Sequence, residues 1–556
     1  MPFLAVLSSP ERALEYSGVA AIAKLLEINK PVDLMLPFAM IFAVAALLAG
    51  GIRLLVSWGS IRLAHGAGFE LSTNAYRRTL YQPYKVHVAR NSSEVIDGLN
   101  AKITGTVNVL QQLLTLASSI VLLMFVMIAL FSINATITMA AALGFGGAYA
   151  LTSALCRNRL AYNSRLIARL GPLRVKAQQE GLGGIRDVLL NGSQEFYCET
   201  YRRTDYPLRL AIGSSTFIGM SPRYAMESIG MVLIAALAYF IFRQPEGPSS
   251  ALLMLGTIAL GAQRLLPALQ AIYSSWASIN SIRHTLFDAL ELLDQPLPMD
   301  ELQPAPPPLN FRQSIRFDDV RFRYASDGPW VLDGINLVIH KGARIGFVGG
   351  TGSGKSTVLD LLMGLMEPTE GQILVDEVPV SGKHLRAWRR ALAHVPQSIF
   401  LSDASIAENI AFGVSAEEID MQRVRQAARQ AKIADFIESS QEGYDALMGE
   451  RGVRVSGGQR QRIGIARALY KQAAVLVFDE ATSALDNSTE REVMDAIEAL
   501  GRDLTIIMVA HRLTTVEWCD MIFELSDGKI VAQGDYKSLL EHSPSFRRSA
   551  ISSPEK

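Results

Sequence analysis

Residues 343–357 read ARIGFVGGTGSGKST: an apolar β-type run, a glycine-rich loop, and then the helical VLDLLMGLM. Gly349, Gly354, Lys355 and Ser356 satisfy the spacing GxxxxGK[ST] in the strand–loop–helix context that gives this spacing its meaning. The loop is filled by Gly350, Thr351, Gly352 and Ser353, and Thr357 follows it. Glycines take positive φ and let backbone N–H groups close on phosphate oxygens, and the helix start adds positive potential. A lysine at this position reaches the β- and γ-phosphates, and the hydroxyl after it ligates Mg²⁺. The stretch therefore predicts an α/β domain that binds a nucleoside triphosphate with Mg²⁺.

Working outward, AAVLVFDE at 473–480 is an apolar strand ending in two carboxylates. Asp479 is positioned to hold Mg²⁺ through water, and Glu480 to orient and deprotonate the attacking water. The bland alternative is a pair of solvated strand-end acids. It is weakened by the phosphate loop, which is expected on a neighbouring strand. Ser456, Gly457 and Gly458 open another helix, and a Ser-Gly-Gly helix start is a second anion site.

These residues carry a wider pattern. VRVSGGQRQRIGIARALY, ahead of FDEATSALD, resembles the signature segment of ABC ATPases, with Ser456, Gly457, Gly458 and Gln459 at its core. Tyr324, 25 positions before Gly349, resembles the adenine-stacking aromatic. Gln397 resembles the Q-loop glutamine, which also serves the metal. Asp486 resembles the D-loop aspartate, His511 the switch histidine, and GERG at 449–452 the element that contacts coupling helices in exporters. The resemblance covers the C-terminal 245 residues. It implies ATP and Mg²⁺ as cofactors, with Ser356, Gln397 and Asp479 at the metal and Glu480, His511 and Gln397 in catalysis. It also implies a dimer, because in this family the signature of one subunit closes over the ATP of the other. The partner is a second copy of this chain or a close relative.

The N-terminal half has a different composition. The whole chain of 556 residues has zero net charge, which argues against a nucleic-acid partner bound by a global basic field. Three scattered cysteines form no CxxC pair and so no disulfide framework. From Ile103 to Cys156 there is no charged residue, enough for two membrane spans of about 20 residues with a turn near Phe131–Asn134. Further spans are expected at 34–56, from about 210 to 242, and at 249–279. The links 57–102 and 157–210 hold six and ten Lys/Arg, so the positive-inside rule makes both cytoplasmic. An odd span count with a cytoplasmic ATPase domain leads to the expectation that a first span is missing upstream of MPFLAVLSSPE. The predicted division is a transmembrane domain at 1–293, whose links 57–102 and 157–210 resemble the long intracellular helices of exporters, a Pro-rich linker at 294–310 and an ATP-binding domain at 311–556. The expected fold is therefore an exporter-type α-helical transmembrane domain followed by an α/β P-loop ABC ATPase domain, in the plasma (inner) membrane with the ATPase cytoplasmic. Gln82–Asn91 and Gly183–Tyr197 are the expected docking segments between the halves.

Three features bear on cargo. Pro10–Pro31 reads as an amphipathic interfacial helix. Arg53, Arg223 and Arg264 fall in or near spans, where an arginine costs about 2.5–3.5 kcal/mol on insertion scales and faces a cavity or a partner, unless it snorkels. Arg223 and Glu227, one helical turn apart, are expected to neutralise each other. Segments such as SPRYAMESIG and AQRLLPALQ resemble bacterial flippases for lipid-linked oligosaccharides, which implies Arg264, then Arg223 and Arg53, as pyrophosphate contacts. Export of drugs, peptides or other lipids is the competing reading. A soluble ATPase acting on DNA or ribosomes is disfavoured by the spans.

Overall fold

The computed structural model describes residues 24, 35–132, 135–242, 248–298, 302–449, 452–480, 487–498, 501–510 and 513–551. They form two compact units, Met1–Gln82 with His87–Leu297, and Pro298–Lys556 with Pro83–Val86. The amphipathic segment expected at Pro10–Pro31 lies outside the described residues except for Lys24.

The first unit is helical. Its long helices are α1 (Met35–Leu80), α4 (Ile103–Phe131), α5 (Ala135–Gly183), α7 (Gln194–Phe242) and α8 (Pro248–Ser281). Between them lie short helices α2 (Tyr84–Ala89), α3 (Ser92–Asp97), α6 (Ile185–Leu190) and α9 (Arg283–Leu293). At 1.5 Å per residue, the 46 residues of α1 run about 70 Å, more than twice a hydrocarbon core of about 30 Å. The helix continues past its apolar run because no proline interrupts it between Pro37 and Pro83. Similarly, α7 begins well before the expected start near residue 210. Its polar opening carries helix-spaced pairs, Arg202 and Arg203 with Glu199 and Arg209 with Asp205. Among the described residues, Met35–Leu80 and Ser92–Phe131 are long and apolar enough to cross a membrane. Their apolar side chains face outward, with Leu47 77 % and Leu54 73 % exposed, the reverse of a soluble core helix.

Neutral polar bridges join helices in this unit, alongside ion pairs such as Lys102 with Asp288 at 3.0 Å. Asn163 Nδ2 donates to Ser215 Oγ at 3.0 Å, and Ser275 Oγ to Gln112 Oε1 at 2.9 Å. A small aromatic core gathers Phe145, Tyr149, Leu160, Met226, Tyr273 and Ala277.

The second unit is α/β. One antiparallel sheet orders β2 (Leu332–His340), β1 (Ser314–Phe322), β4 (Glu370–Val375) and β5 (Val378–Pro379). A six-stranded sheet orders β10 (Lys529–Gly534), β9 (Met521–Ser526), β3 (Arg344–Gly349), β8 (Thr505–Val509), β7 (Val475–Asp479) and β6 (Leu392–Val395). It is parallel except for β10. Alternation along β7 sends Val475 and Val477 to one core with Phe347, Leu359 and Trp388. Leu476 and Phe478 enter the other, with Ile399, Ile463 and Ile465. The first core seats the helix after the phosphate loop, α10 (Lys355–Leu362), and the second seats α15 (Gly457–Tyr470), the helix opened by Ser456. Phe478 and Val455 are buried in this second core, as their apolar character required. The helices between α10 and α15 are α11 (Lys383–Ala391), α12 (Ile406–Ile410), α13 (Met421–Gln430) and α14 (Ala434–Glu438). One expectation is corrected: β7 does not neighbour β3, because β8 pairs with both and lies between them.

Candidate functional site

The phosphate loop leaves β3 at Gly349 and enters α10 at Lys355. Gly349 has φ +148°, and a Cβ there would stand 2.2 Å from the Leu525 carbonyl oxygen. Gly354 caps α10 at φ +102°, and its Cβ would meet Leu332 Cδ2 at 2.6 Å. Glycine is required at both positions by sterics as well as by φ. Inside the loop, Lys355 Nζ donates to the Gly349 and Gly350 carbonyls, each at 2.9 Å. Two of its three N–H groups therefore fix it over the loop, and one is left for a phosphate. Burial holds its pKa below the usual lysine range, while the charges of Glu480 and Asp479 act in the opposite direction. A nearby phosphate charge would favour the ammonium form and raise the pKa again. The Ser353 hydroxyl is buried and has no hydrogen-bond partner among the described residues.

The carboxylates end β7, where Asp479 pairs in register with Val509 of β8. Glu480 takes φ +51°, an uncommon value for a residue with a side chain. Its N–H donates to the Val509 carbonyl at 3.2 Å, which holds that turn. Gln397, just beyond β6, donates from Nε2 to Glu480 Oε2 at 2.6 Å. Gln397 and Glu480, both predicted site residues, are thus brought together. Sequence reasoning missed Asp360, one turn beyond Ser356 on α10. Burial, and then the charge of Asp479, push its carboxyl up to about 6. The available signal was an acid inside the otherwise apolar VLDLLMGLM.

For Mg²⁺, the Ser356 hydroxyl is exposed at the first turn of α10, and Asp479 and Gln397 add oxygen donors. This all-oxygen set fits a hard cation that keeps several of its waters. Bound there, Mg²⁺ would neutralise phosphate charge.

Tyr324 presents a ring 45 % exposed, set edge-on against Phe322 with centroids 5.0 Å apart. Its hydroxyl lies 3.3 Å from Thr357 Oγ1, so the ring sits beside the helix that follows the phosphate loop. At the start of α15, Ser456 Oγ accepts from Gln459 N–H at 3.2 Å, and Ser456 N–H donates to Gln459 Oε1 at 2.9 Å. This capping box leaves Ser456 and Gly457 exposed at a helix N-terminus. Asp486 and His511 lie outside the described residues, as do Glu450 and Arg451 of GERG.

The three span arginines are not brought together. Arg53 is on α1, Arg223 on α7 and Arg264 on α8, and all three are exposed. Arg223 Nε is 2.8 Å from Glu227 Oε1, the intrahelical neutralisation its spacing implied. Among the described residues, neither Arg53 nor Arg264 has a charged partner.

Residues 332–483 match the ABC transporter family. Over its whole length the chain superposes on a bacterial Atm1-family ABC exporter solved with ATP bound, with TM-score 0.81 and 26 % identity, covering 96 % of that chain. The chain thus has the fold of an Atm1-family exporter, with a helical N-terminal region and a C-terminal ABC ATPase domain. Among its relatives, an ATP-dependent lipid A-core flippase of Alkalilimnicola ehrlichii is 34 % identical over 66 % of this chain and 61 % of its own length. Another, from Cupriavidus metallidurans, is 29 % identical over 86 % of this chain and 80 % of its own length. A heterocyst differentiation ATP-binding protein of Nostoc is 36 % identical over 65 % of this chain and 59 % of its own length. The chain thus spans about three fifths of the first and third of these relatives.

Proposed function

We propose that this chain is one half of an ATP-hydrolysing exporter or flippase that moves a lipid-linked saccharide, of the lipid A-core or lipid-linked oligosaccharide kind, across the inner membrane. The observation that carries the ATPase reading is Glu480, held by Gln397 at the end of β7 in a domain whose phosphate loop is already closed on Lys355. The names of the relatives support the lipid cargo, and the arginines in the spans are compatible with a phosphate-bearing headgroup. ATP binds with Mg²⁺ at Lys355, Ser356, Gln397 and Asp479, and Tyr324 stacks on adenine. The exposed start of α15 serves the ATP of a second copy, so the working unit is a homodimer with the ATPase domains cytoplasmic. The short helices α2 and α6 transmit nucleotide state to the spans.

In this mechanism Glu480 takes a proton from the attacking water, and Gln397 keeps its carboxylate turned toward that water. Lys355 and the loop N–H groups hold the charge that develops on the transferred phosphoryl group. The test is ATP hydrolysis by the purified chain in nanodiscs, with and without Mg²⁺ and with added lipid A-type glycolipid. Mg²⁺-dependent turnover raised by the glycolipid is expected. Turnover indifferent to every lipid tried would remove the cargo from the proposal, and no turnover would remove the enzyme.

A further inference from the structure

One side chain ties three of the long helices together. Gln270 of α8 accepts through Oε1 from the Tyr149 hydroxyl of α5 at 3.0 Å, and its Nε2 donates to the Gly219 carbonyl of α7 at 3.0 Å. The surroundings are apolar: Tyr149 packs in the cluster of Phe145, Met226, Tyr273 and Ala277. At the same level α7 meets α8 closely, where a Cβ on Gly219 would touch Ala277 at 3.9 Å. Both helices carry a proline three residues from the tie, Pro222 after Gly219 and Pro267 before Gln270. A proline gives no N–H to the carbonyl four residues back, so α7 lacks a rung at Ile218 and α8 at Gln263. Helices bend at such points. Breaking the tie, by contrast, would leave amide and hydroxyl groups unpartnered among apolar side chains.

We propose that Gln270 is a positioning residue for transport: it holds α5, α7 and α8 at a fixed pivot while α7 and α8 bend at Pro222 and Pro267. This rests on the transporter reading above. A tie that only stabilised the bundle would contribute to stability and leave the lipid moved per ATP unchanged. A pivot sets that ratio.

The experiment uses the full chain with Cys156, Cys198 and Cys519 replaced, spin-labelled in nanodiscs, and compared without nucleotide and with Mg-ATP and vanadate. One label pair, Leu151 and Ser274, lies at the tie; a second, Leu143 and Gln263, lies beyond Pro267. The second distance is expected to change and the first to stay. Separately, Gln270→Leu is expected to keep basal ATP hydrolysis but move several-fold less lipid per ATP. Gln270→Glu, when protonated, has one donor and one acceptor and reproduces both bonds. It should restore the ratio at acid pH and lose it as pH rises, a profile wild type lacks. The titratable groups around the tie are Tyr149, which bonds Gln270, Tyr273 with Cys156 beside it, and the Arg223–Glu227 pair near Tyr149, so the cysteine-replaced chain is first matched to wild type in lipid moved per ATP. If Gln270→Leu does not fold, the two pH values of Gln270→Glu give the same comparison. A changed distance at the tie, or a native lipid-to-ATP ratio in Gln270→Leu, overturns the pivot. Hydrolysis by wild type with no lipid moved overturns the cargo instead, and the pivot is then judged on the two distances.

Discussion

Gln397 Nε2 stands 2.6 Å from Glu480 Oε2, joining the loop after β6 to the residue that ends β7 across 83 positions of chain. A base that is hydrogen-bonded through one oxygen keeps the other turned to water, so the pair acts as a unit. Gln397→Ala should lower ATP turnover while leaving ATP binding intact, because the nucleotide is held by the phosphate loop. On the proposed role of Glu480 as base, Glu480→Gln should cost about 10²–10⁴ in rate. The double variant should be no slower than Glu480→Gln alone, since one function is lost in both. Single-turnover hydrolysis and nucleotide binding on the three variants check this.

Two loop glycines should respond differently. Gly354→Ala puts a side chain at φ +102° and against Leu332, and strain at such a position costs about 1–3 kcal/mol. Gly350→Ala meets nothing within 4 Å. Thermal unfolding should show a lowered midpoint for the first and an unchanged one for the second, with ATP affinity lost only in the first.

Tyr324 separates stacking from hydrogen bonding. Tyr324→Phe keeps the ring and loses only the contact with Thr357. Tyr324→Ala loses the face offered to adenine, for which base stacking on aromatics is worth about 1–3 kcal/mol, or about 5- to 150-fold in affinity. Fluorescent-nucleotide titration should show a near-native Kd for the first and a weakened one for the second.

The pH dependence of the ATP-binding domain has two opposed parts. Burial pushes His394, on β6, down to about 4, against about 6.5 when unfolded. The unfolded chain therefore takes up a proton that the folded chain refuses, and stability present above pH 6.5 is lost as pH falls toward 4. His394→Leu should flatten that slope. Asp360 has the reverse sign, because its folded value near 6 lies above its unfolded value near 3.9. Its neutral form is favoured by folding, so stability falls as pH rises from 4 to 6. Asp360→Asn should stabilise the domain at pH 8 and change little at pH 4. Urea unfolding of each variant at pH 4, 6 and 8 separates the two.

The phosphate loop was legible because its strand, glycines and lysine are consecutive, so their geometry is decided locally. The five long helices were legible as apolar runs. Their extension through the polar links was expected from the resemblance alone, because α1 and α7 run on through sequence that no hydropathy pattern marks as helix. That β8 separates β3 from β7 was hidden because strand order is set by crossovers, not by spacing along the chain. The same holds for Gln397 with Glu480, which only the family resemblance placed at one site. The Gln270 tie was invisible: glutamine, tyrosine and glycine carry no motif, and their meeting depends on how three helices pack.

The central claim is that ATP hydrolysis at Glu480 moves a glycolipid across a membrane. The direct measurement reconstitutes the chain in proteoliposomes carrying a fluorescent polyprenyl-pyrophosphate glycan or lipid A-type glycolipid. It follows the loss of label from one leaflet after Mg-ATP, with Glu480→Gln in parallel. The account predicts loss that requires Mg-ATP and is abolished in Glu480→Gln. Robust hydrolysis with no loss of label, or equal loss in the variant, would contradict it.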